Sequence, residues 1–157
     1  MPVSDTLYSH AEIIASTEAA FKEVDDFLMS ISEEDFLQKR EDKWSIAQNL
    51  DHLLKSTDPL IKALSLPKLT FRAFGKPNRP TRSYNELVNR YQEKLATIGP
   101  PPNNPYLASE TDIFDKNSMQ ERWKLAAPKL IRGIEKWSEK ELDKYLLPHP
   151  LLGKLLA

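Results

Sequence analysis

One histidine is the strongest candidate for chemistry in this sequence. His52 lies within the stretch from Lys43 to Leu66, on a strip with Asn49 and Ser56 whose side chains are small or polar and carry no formal charge. An imidazole can ligate a metal or exchange a proton near neutral pH. A half-buried histidine held only by hydrogen bonds would fit the same spacing, and the residues alone favour that simpler interpretation. Asn49 and Ser56 are the candidate substrate-binding residues beside it.

A single helix is expected to carry this strip. Ser45 and Gln48 have the spacing of a capping box, which predicts that the helix starts at Ser45. Pro59 removes a backbone donor inside the helix, so a kink that makes room for a ligand is expected there. Six apolar residues recur at helical spacing and predict a core-facing stripe: Ile46, Leu50, Leu53, Leu54, Ile61 and Leu64. Two i,i+4 charge pairs indicate the solvent face: Asp51 with Lys55, and Asp58 with Lys62.

A family resemblance adds to this interpretation of His52. The segment from Trp44 to Leu53 reads W-S-x-x-Q-N-L-x-H-L and resembles the second-helix motif of the DinB-like superfamily of four-helix bundles. The segment from Leu147 to Leu155, LPHPLLGKL, is similar to the family segment that leads into the last bundle helix. The resemblance covers about residues 40 to 157. It implies an all-α, DinB-like four-helix bundle with a long crossover and with its last helix largely missing from this sequence.

The resemblance also implies a metal site. The motif histidine of the family ligates a divalent metal, which makes His52 the expected ligand of zinc or nickel. Two further histidines, spaced H-x-x-x-H in the last helix, typically complete the family's site, and the sequence stops at Ala157 before them. His10 and His149 match no ligand position. Because a catalytic zinc commonly takes three protein ligands, the expected metal depends on ligands that are absent from this sequence.

Two classes of function follow from the same residues. The resemblance implies an enzyme of the thiol S-transferase or metal hydrolase type, acting on a small molecule and possessing a metal-activated nucleophile. A low-molecular-weight thiol is the expected co-substrate of the first type. The alternative is a metal-free helical module that dimerises or binds a partner. Either the sequence lacks a C-terminal segment or the bundle has lost its site, and the apolar ending LLGKLLA favours the first explanation.

Composition limits the remaining possibilities. A chain of 157 residues that is 40% hydrophobic and 29% charged is predicted to form one domain, residues 1–157. A net charge of −1 gives no field that favours nucleic acid or an anionic membrane. The absence of cysteine excludes disulfides and thiolate ligands. No apolar run is long enough to span a bilayer, and a cytoplasmic protein is expected.

Two other long helices are expected to build the bundle. The first is predicted to run from Ser4 or Asp5 to about Ile31, with its apolar residues three and four apart. Ser118 and Glu121 predict the start of the third, which carries Trp123 among its core positions. Three amphipathic helices without a fourth leave an apolar groove, which predicts a homodimer.

A long crossover, residues 66–105, should connect the second and third bundle helices. It contains seven of the twelve prolines and few signals for continuous helix, except that Ser83 and Glu86 predict a capped amphipathic helix ending at Gly99. No Asp or Glu interrupts its positive run, which includes Arg79 and Arg82. These two arginines are candidate binding residues for an anionic substrate or thiol. A solvated loop is the simpler interpretation of the same run.

Overall fold

Helices make up most of the residues that the structure describes. The computed structural model describes residues 8–77, 80–98, 105–110, 113–149 and 153–155. In chain order the elements are α1 (His10–Ser30), α2 (Glu33–Leu37), α3 (Ile46–Ser65), a 3₁₀ helix (Lys68–Phe74), α4 (Tyr84–Ile98), α5 (Lys116–Glu135), α6 (Glu139–Leu142), β1 (Leu147–His149) and β2 (Gly153–Leu155). The prediction of an all-α fold is confirmed, with one short antiparallel hairpin added to it.

Two compact units interleave along the chain. The first, here called the helical unit, comprises Ile14–Ser65 and Pro105–Glu135. The second, here called the crossover unit, comprises Met1–Ile13, Leu66–Asn104 and Lys136–Ala157. The helical unit therefore holds most of α1 together with α2, α3 and α5, while the predicted crossover falls in the second unit.

The core of the helical unit is built by three long helices. Helices α3 and α5 approach closely at Gly133, where an added Cβ would lie 3.1 Å from the Cβ of Leu64. Helix α1 joins α5 through aromatic rings instead. Phe21 and Trp123 stack with ring centroids 4.1 Å apart, and the Trp123 indole N–H donates to the Phe21 carbonyl at 3.0 Å. Replacing either buried ring with alanine would cost about 3–5 kcal/mol.

The apolar patterns predicted for α1 and α5 are confirmed in this core. Of the apolar residues spaced three and four apart in the first predicted helix, Phe21 and Leu28 are buried, and Ile14, Val24 and Ile31 are half-buried. On α5, the buried residues are Met119, Gln120, Trp123, Ala126, Leu130, Gly133 and Ile134. The tryptophan therefore lies in the core.

The crossover unit is centred on aromatic residues. Phe71 of the 3₁₀ helix packs edge-on against Trp137 at 5.1 Å, and Tyr145 lies 5.7 Å from the same indole ring. Beside them, the Lys68 ammonium lies 2.6 Å from a carboxylate oxygen of Glu141. This ion pair joins the 3₁₀ helix to α6.

The observed starts of α1 and α5 are each fixed by a cap that the sequence analysis did not select. Helix α1 begins at His10, because Ser9 and Glu12 form a capping box in which the Ser9 backbone N–H donates to Glu12 at 2.7 Å. The predicted start at Ser4 or Asp5 lies outside the described residues. Helix α5 begins at Lys116, because Asp115 accepts from the Ser118 backbone N–H at 2.6 Å. The predicted cap Ser118 is therefore already inside the helix.

The expected opening of a last bundle helix is also wrong over residues 153–155. This segment is strand β2, which pairs antiparallel with β1 in the register Leu147 with Leu155 and His149 with Gly153. Pro148 favours an extended backbone at Leu147, and Gly153 is a poor helix former. Pairing with β1 then satisfies the backbone groups that a helix would have satisfied internally.

No helix among the described residues is long and apolar enough to cross a membrane. The longest helix, α1, has 21 residues and carries charged side chains along its length.

Candidate functional site

The helix that carries His52 starts where the sequence predicts. The Ser45 backbone N–H donates to the Gln48 side-chain oxygen at 3.0 Å, and the Gln48 backbone N–H donates to the Ser45 hydroxyl at 3.1 Å. This reciprocal pair confirms the capping box. Helix α3 then continues through Pro59 to Ser65. The kink expected at Pro59 stays a prediction.

The imidazole of His52 is fixed by one backbone carbonyl. Its Nδ1 lies 2.5 Å from the carbonyl oxygen of Tyr106, in the segment that precedes α5. A carbonyl oxygen can only accept, so Nδ1 carries the proton and donates. In the neutral ring the lone pair is then on Nε2, the atom that can bind a metal or take a proton. His52 is half-buried, and the Trp44 ring lies 5.4 Å from it, centroid to centroid.

Residues 105–110, which include Tyr106, lie against the same face of α3, and we call them the docked segment. Gln48 donates from its side-chain amide to the Ser109 carbonyl at 3.3 Å. Asp51 accepts from the Ser109 backbone N–H at 3.0 Å. Lys55 donates to the Leu107 carbonyl at 3.3 Å. Together with His52, these side chains occupy positions i, i+3, i+4 and i+7 of one helical face.

This arrangement corrects the predicted solvent face. The Asp51–Lys55 pair forms, with 2.7 Å between its charged atoms, but Asp51 is only 6% exposed. Asp58 and Lys62 are exposed, as predicted, and Asp58 lies 3.8 Å from Arg122 of α5. The buried face of α3 therefore includes Asp51. Leu53, which was predicted to lie in the core stripe, is 39% exposed.

The predicted substrate-binding residues of α3 lie on its accessible side. Asn49 and Ser56 are exposed, and Pro59 and Ala63 on the same strip are half-buried. The Asn49 side-chain amide donates to the Ser45 carbonyl at 2.8 Å, which holds this side chain against the first turn of the helix. The strip around His52 is thus reachable, with Trp44 at one end of it.

The two candidate arginines belong to the crossover. Arg79 lies outside the described residues. Arg82 is half-buried in the crossover unit, directly before Ser83. The cap predicted at Ser83 is confirmed, because its backbone N–H donates to Glu86 at 2.8 Å at the start of α4. The assignment of both arginines to substrate binding stays a prediction.

Among the described residues, one side chain at this site is suited to bind a metal ion. His52 has the chemistry of a ligand, because a second ring nitrogen bonded to a carbonyl is the usual support for a metal-binding imidazole. No group of three His, Asp, Glu or Cys side chains that could hold an ion occurs within the part of the chain that is described. A complete site would need ligands from beyond these residues.

Sequence reasoning missed the role of Gln48, Asp51 and Lys55. Their spacing with His52 was visible as a polar stripe at helical period. The charges of Asp51 and Lys55 suggested an ordinary solvated i,i+4 pair instead. What distinguishes the stripe is its partner, a segment more than fifty residues away in sequence: Ser109 lies 58 residues after Asp51.

Comparison with known proteins identifies the family but no individual relative. No curated protein and no solved structure matches the chain. The family model of the DinB superfamily matches residues 16–155, which include α3 with its capping box and His52, and extend beyond the resembling segments into α1. Since this match spans most of the chain, the protein belongs to the DinB superfamily.

Proposed function

We propose that this protein is a small-molecule enzyme of the thiol S-transferase or hydrolase type, with His52 as the central residue of its site. The observation that carries the proposal is the bond from His52 Nδ1 to the Tyr106 carbonyl. It fixes the ring and leaves the Nε2 lone pair available for a ligand or a proton. The same bond would also hold a packing histidine in place, so the proposal is decided by whether Nε2 is occupied by a ligand.

The residues around His52 support binding of a small substrate. Trp44 is 38% exposed and offers an apolar ring next to the imidazole. Asn49 and Ser56 are exposed on the same side of α3 and supply polar atoms. An apolar surface with a few polar groups is the usual composition of a small-molecule site.

A divalent metal, zinc or nickel, is part of this proposal. His52 would hold it through Nε2, and two further ligands would have to come from outside the described residues. Such an ion lowers the pKa of a bound water or thiol and so supplies a nucleophile at neutral pH. The contribution of the described chain is to orient the imidazole and to present the binding strip.

Metal analysis of the purified natural protein tests the proposal. We expect about one zinc or nickel ion per chain, because the proposed site holds a single ion. The variant His52→Ala should lose most of it. His10→Ala is the matched control, since it removes another histidine from a helix and should leave the metal content unchanged. Equal metal content in wild type and His52→Ala would contradict the proposed site.

The alternative function is a metal-free module that binds a partner or a second copy. One observation favours it: the described residues bring no three ligands together. Absence of metal from the purified protein, together with an unchanged melting temperature of His52→Ala, would support this alternative.

A further inference from the structure

Four side chains of α3 hold the docked segment, and only one of them is a candidate for chemistry. Gln48, Asp51 and Lys55 contact Ser109 and Leu107, while His52 contacts Tyr106. The bond that sets the His52 tautomer is therefore made to a carbonyl whose place depends on the neighbouring three side chains. The three side chains need not contribute equally to the position of the Tyr106 carbonyl.

Asp51 places a buried negative charge against the docked segment. Its carboxylate is 6% exposed, and a single oxygen, Oδ2, accepts from both the Lys55 ammonium at 2.7 Å and the Ser109 backbone N–H at 3.0 Å. A buried carboxylate is costly unless it is paired and hydrogen-bonded. Lys55 also reaches the Leu107 carbonyl, so the ion pair contacts the segment at two residues.

We propose that Asp51 is a positioning residue for His52. By holding Ser109 and orienting Lys55 toward Leu107, it keeps the Tyr106 carbonyl against Nδ1 and so leaves the lone pair on Nε2. A neutral imidazole in water favours a proton on Nε2, so the opposite tautomer requires a fixed acceptor at Nδ1. The tautomer follows from this geometry. Its consequence for ligand binding at Nε2 rests on the proposed function of His52.

Nitrogen NMR of the histidine ring tests this proposal directly. In a neutral imidazole, ¹⁵N shifts distinguish the protonated from the unprotonated ring nitrogen, and spectra are recorded under mildly basic conditions, where both ring nitrogens of His52 give separate signals. The His52 signals are assigned with His52→Gln. Wild type should carry the proton on Nδ1. Asp51→Ala should shift the population toward the Nε2–H form, because the docked segment loses its anchor at Ser109.

Two further variants separate positioning from general destabilisation. Asp58→Ala removes a carboxylate from the same helix, one that pairs with Arg122 and does not touch the docked segment, and it should leave the tautomer unchanged. Asp51→Asn retains an acceptor for the Ser109 N–H and should restore much of the wild-type spectrum. If Asp51→Ala does not fold, Lys55→Met provides the second test, since it removes the bond to Leu107.

Zinc titration without substrate then measures the consequence for binding. Loss of a group that supports a metal-binding histidine typically weakens metal affinity about 10-fold to 100-fold, which we expect for Asp51→Ala but not for Asp58→Ala. A proton on Nε2 in wild-type His52, or an unchanged tautomer in folded Asp51→Ala, would overturn the proposal. Absence of zinc binding to the wild type would instead count against the proposed function, while the NMR result would still decide the role of Asp51.

Discussion

His52 illustrates how a residue can be structurally engaged and still chemically competent. Its Nδ1 takes part in holding the docked segment, which is what a packing histidine does. The same bond leaves the lone pair on Nε2, which a histidine requires in order to bind a metal. The two interpretations of this histidine therefore do not exclude each other, and only the occupancy of Nε2 distinguishes them.

The arginines of the crossover give a residue-level prediction. If Arg79 and Arg82 attract an anionic substrate or thiol, Arg79→Glu and Arg82→Glu should each weaken binding of a carboxylate-bearing thiol such as glutathione. A single accessible charge is worth up to about 1 kcal/mol, so a few-fold loss at low salt is expected. The loss should shrink as ionic strength rises, because salt screens the interaction. Isothermal titration at two salt concentrations measures both effects.

Arg90→Glu is the matched control for this experiment. Arg90 is exposed on α4, in the same unit as Arg82, and its reversal changes the net charge by the same amount. Equal effects of Arg82→Glu and Arg90→Glu would indicate a general field. If neither substitution changes binding at any salt concentration, the crossover arginines belong to an ordinary solvated loop and do not bind the substrate.

Asp51 shows the limit of what single residues reveal in a sequence. An Asp four residues before a Lys on a helix is typical of an exposed pair, and the pair does form. Its burial depends on the docked segment, which is remote in the chain. The motif around His52 identified the right helix and the right family, whereas the contacts that orient the histidine required the tertiary structure.

At the scale of elements, capping chemistry was the most informative local signal. The boxes at Ser45 and Ser83 were predicted and confirmed. Ser118 was misassigned because Asp115, three residues earlier, has a capping side chain too and accepts from the Ser118 backbone N–H at 2.6 Å. Spacing alone does not distinguish two overlapping candidates, since each satisfies the pattern.

The ion pair between the 3₁₀ helix and α6 predicts a specific dependence of stability on pH. The Lys68 ammonium, with further bonds from the Ser138 backbone N–H and hydroxyl, lowers the pKa of Glu141 from 4.5 to about 2. The folded state thus binds fewer protons at this group than the unfolded state. Its stabilising contribution is complete above about pH 4.5 and is lost as pH falls toward about 2.

Glu141→Gln should remove this dependence. The variant is expected to be less stable than wild type above pH 4.5, and the difference should narrow as pH falls through the window down to about 2. Urea unfolding over a pH series measures it. Glu139→Gln is the control, because it neutralises a neighbouring glutamate that does not pair with Lys68. A constant difference between Glu141→Gln and wild type at every pH would contradict the assignment.

At the scale of the whole molecule, the sequence predicted the class of fold, and its prediction of a single domain stays a prediction. Helical periodicity identified α1, α3 and α5, and the prolines located the crossover. The interleaved units follow from contacts between distant segments, such as Lys68 with Glu141, 73 residues apart. Local patterns carry no information on such pairings. Residues 153–155 were expected to open a helix and instead form strand β2, because their apolar residues fit either state.

An apolar groove on the helical unit bears on the predicted homodimer. It encloses about 310 Å³ between α1 and α5, and Phe21, Trp123 and Ile131 contribute to its lining. Its other lining residues include both acidic and basic side chains: Glu18, Lys22, Asp25 and Lys124. We propose that a second copy of the chain covers this groove, because a two-fold arrangement can place the lysines of one copy opposite the carboxylates of the other.

Charge inserted into the groove should then separate the copies. Ala127 lines the groove and is half-buried, so Ala127→Glu places a carboxylate against apolar surface and should weaken association. Lys129→Glu, at an exposed position of α5 outside the lining, is the control. For wild type, the melting temperature should rise with protein concentration, since association stabilises the folded state by mass action. Sedimentation as a monomer at micromolar concentration, with a melting temperature independent of dilution, would exclude the dimer.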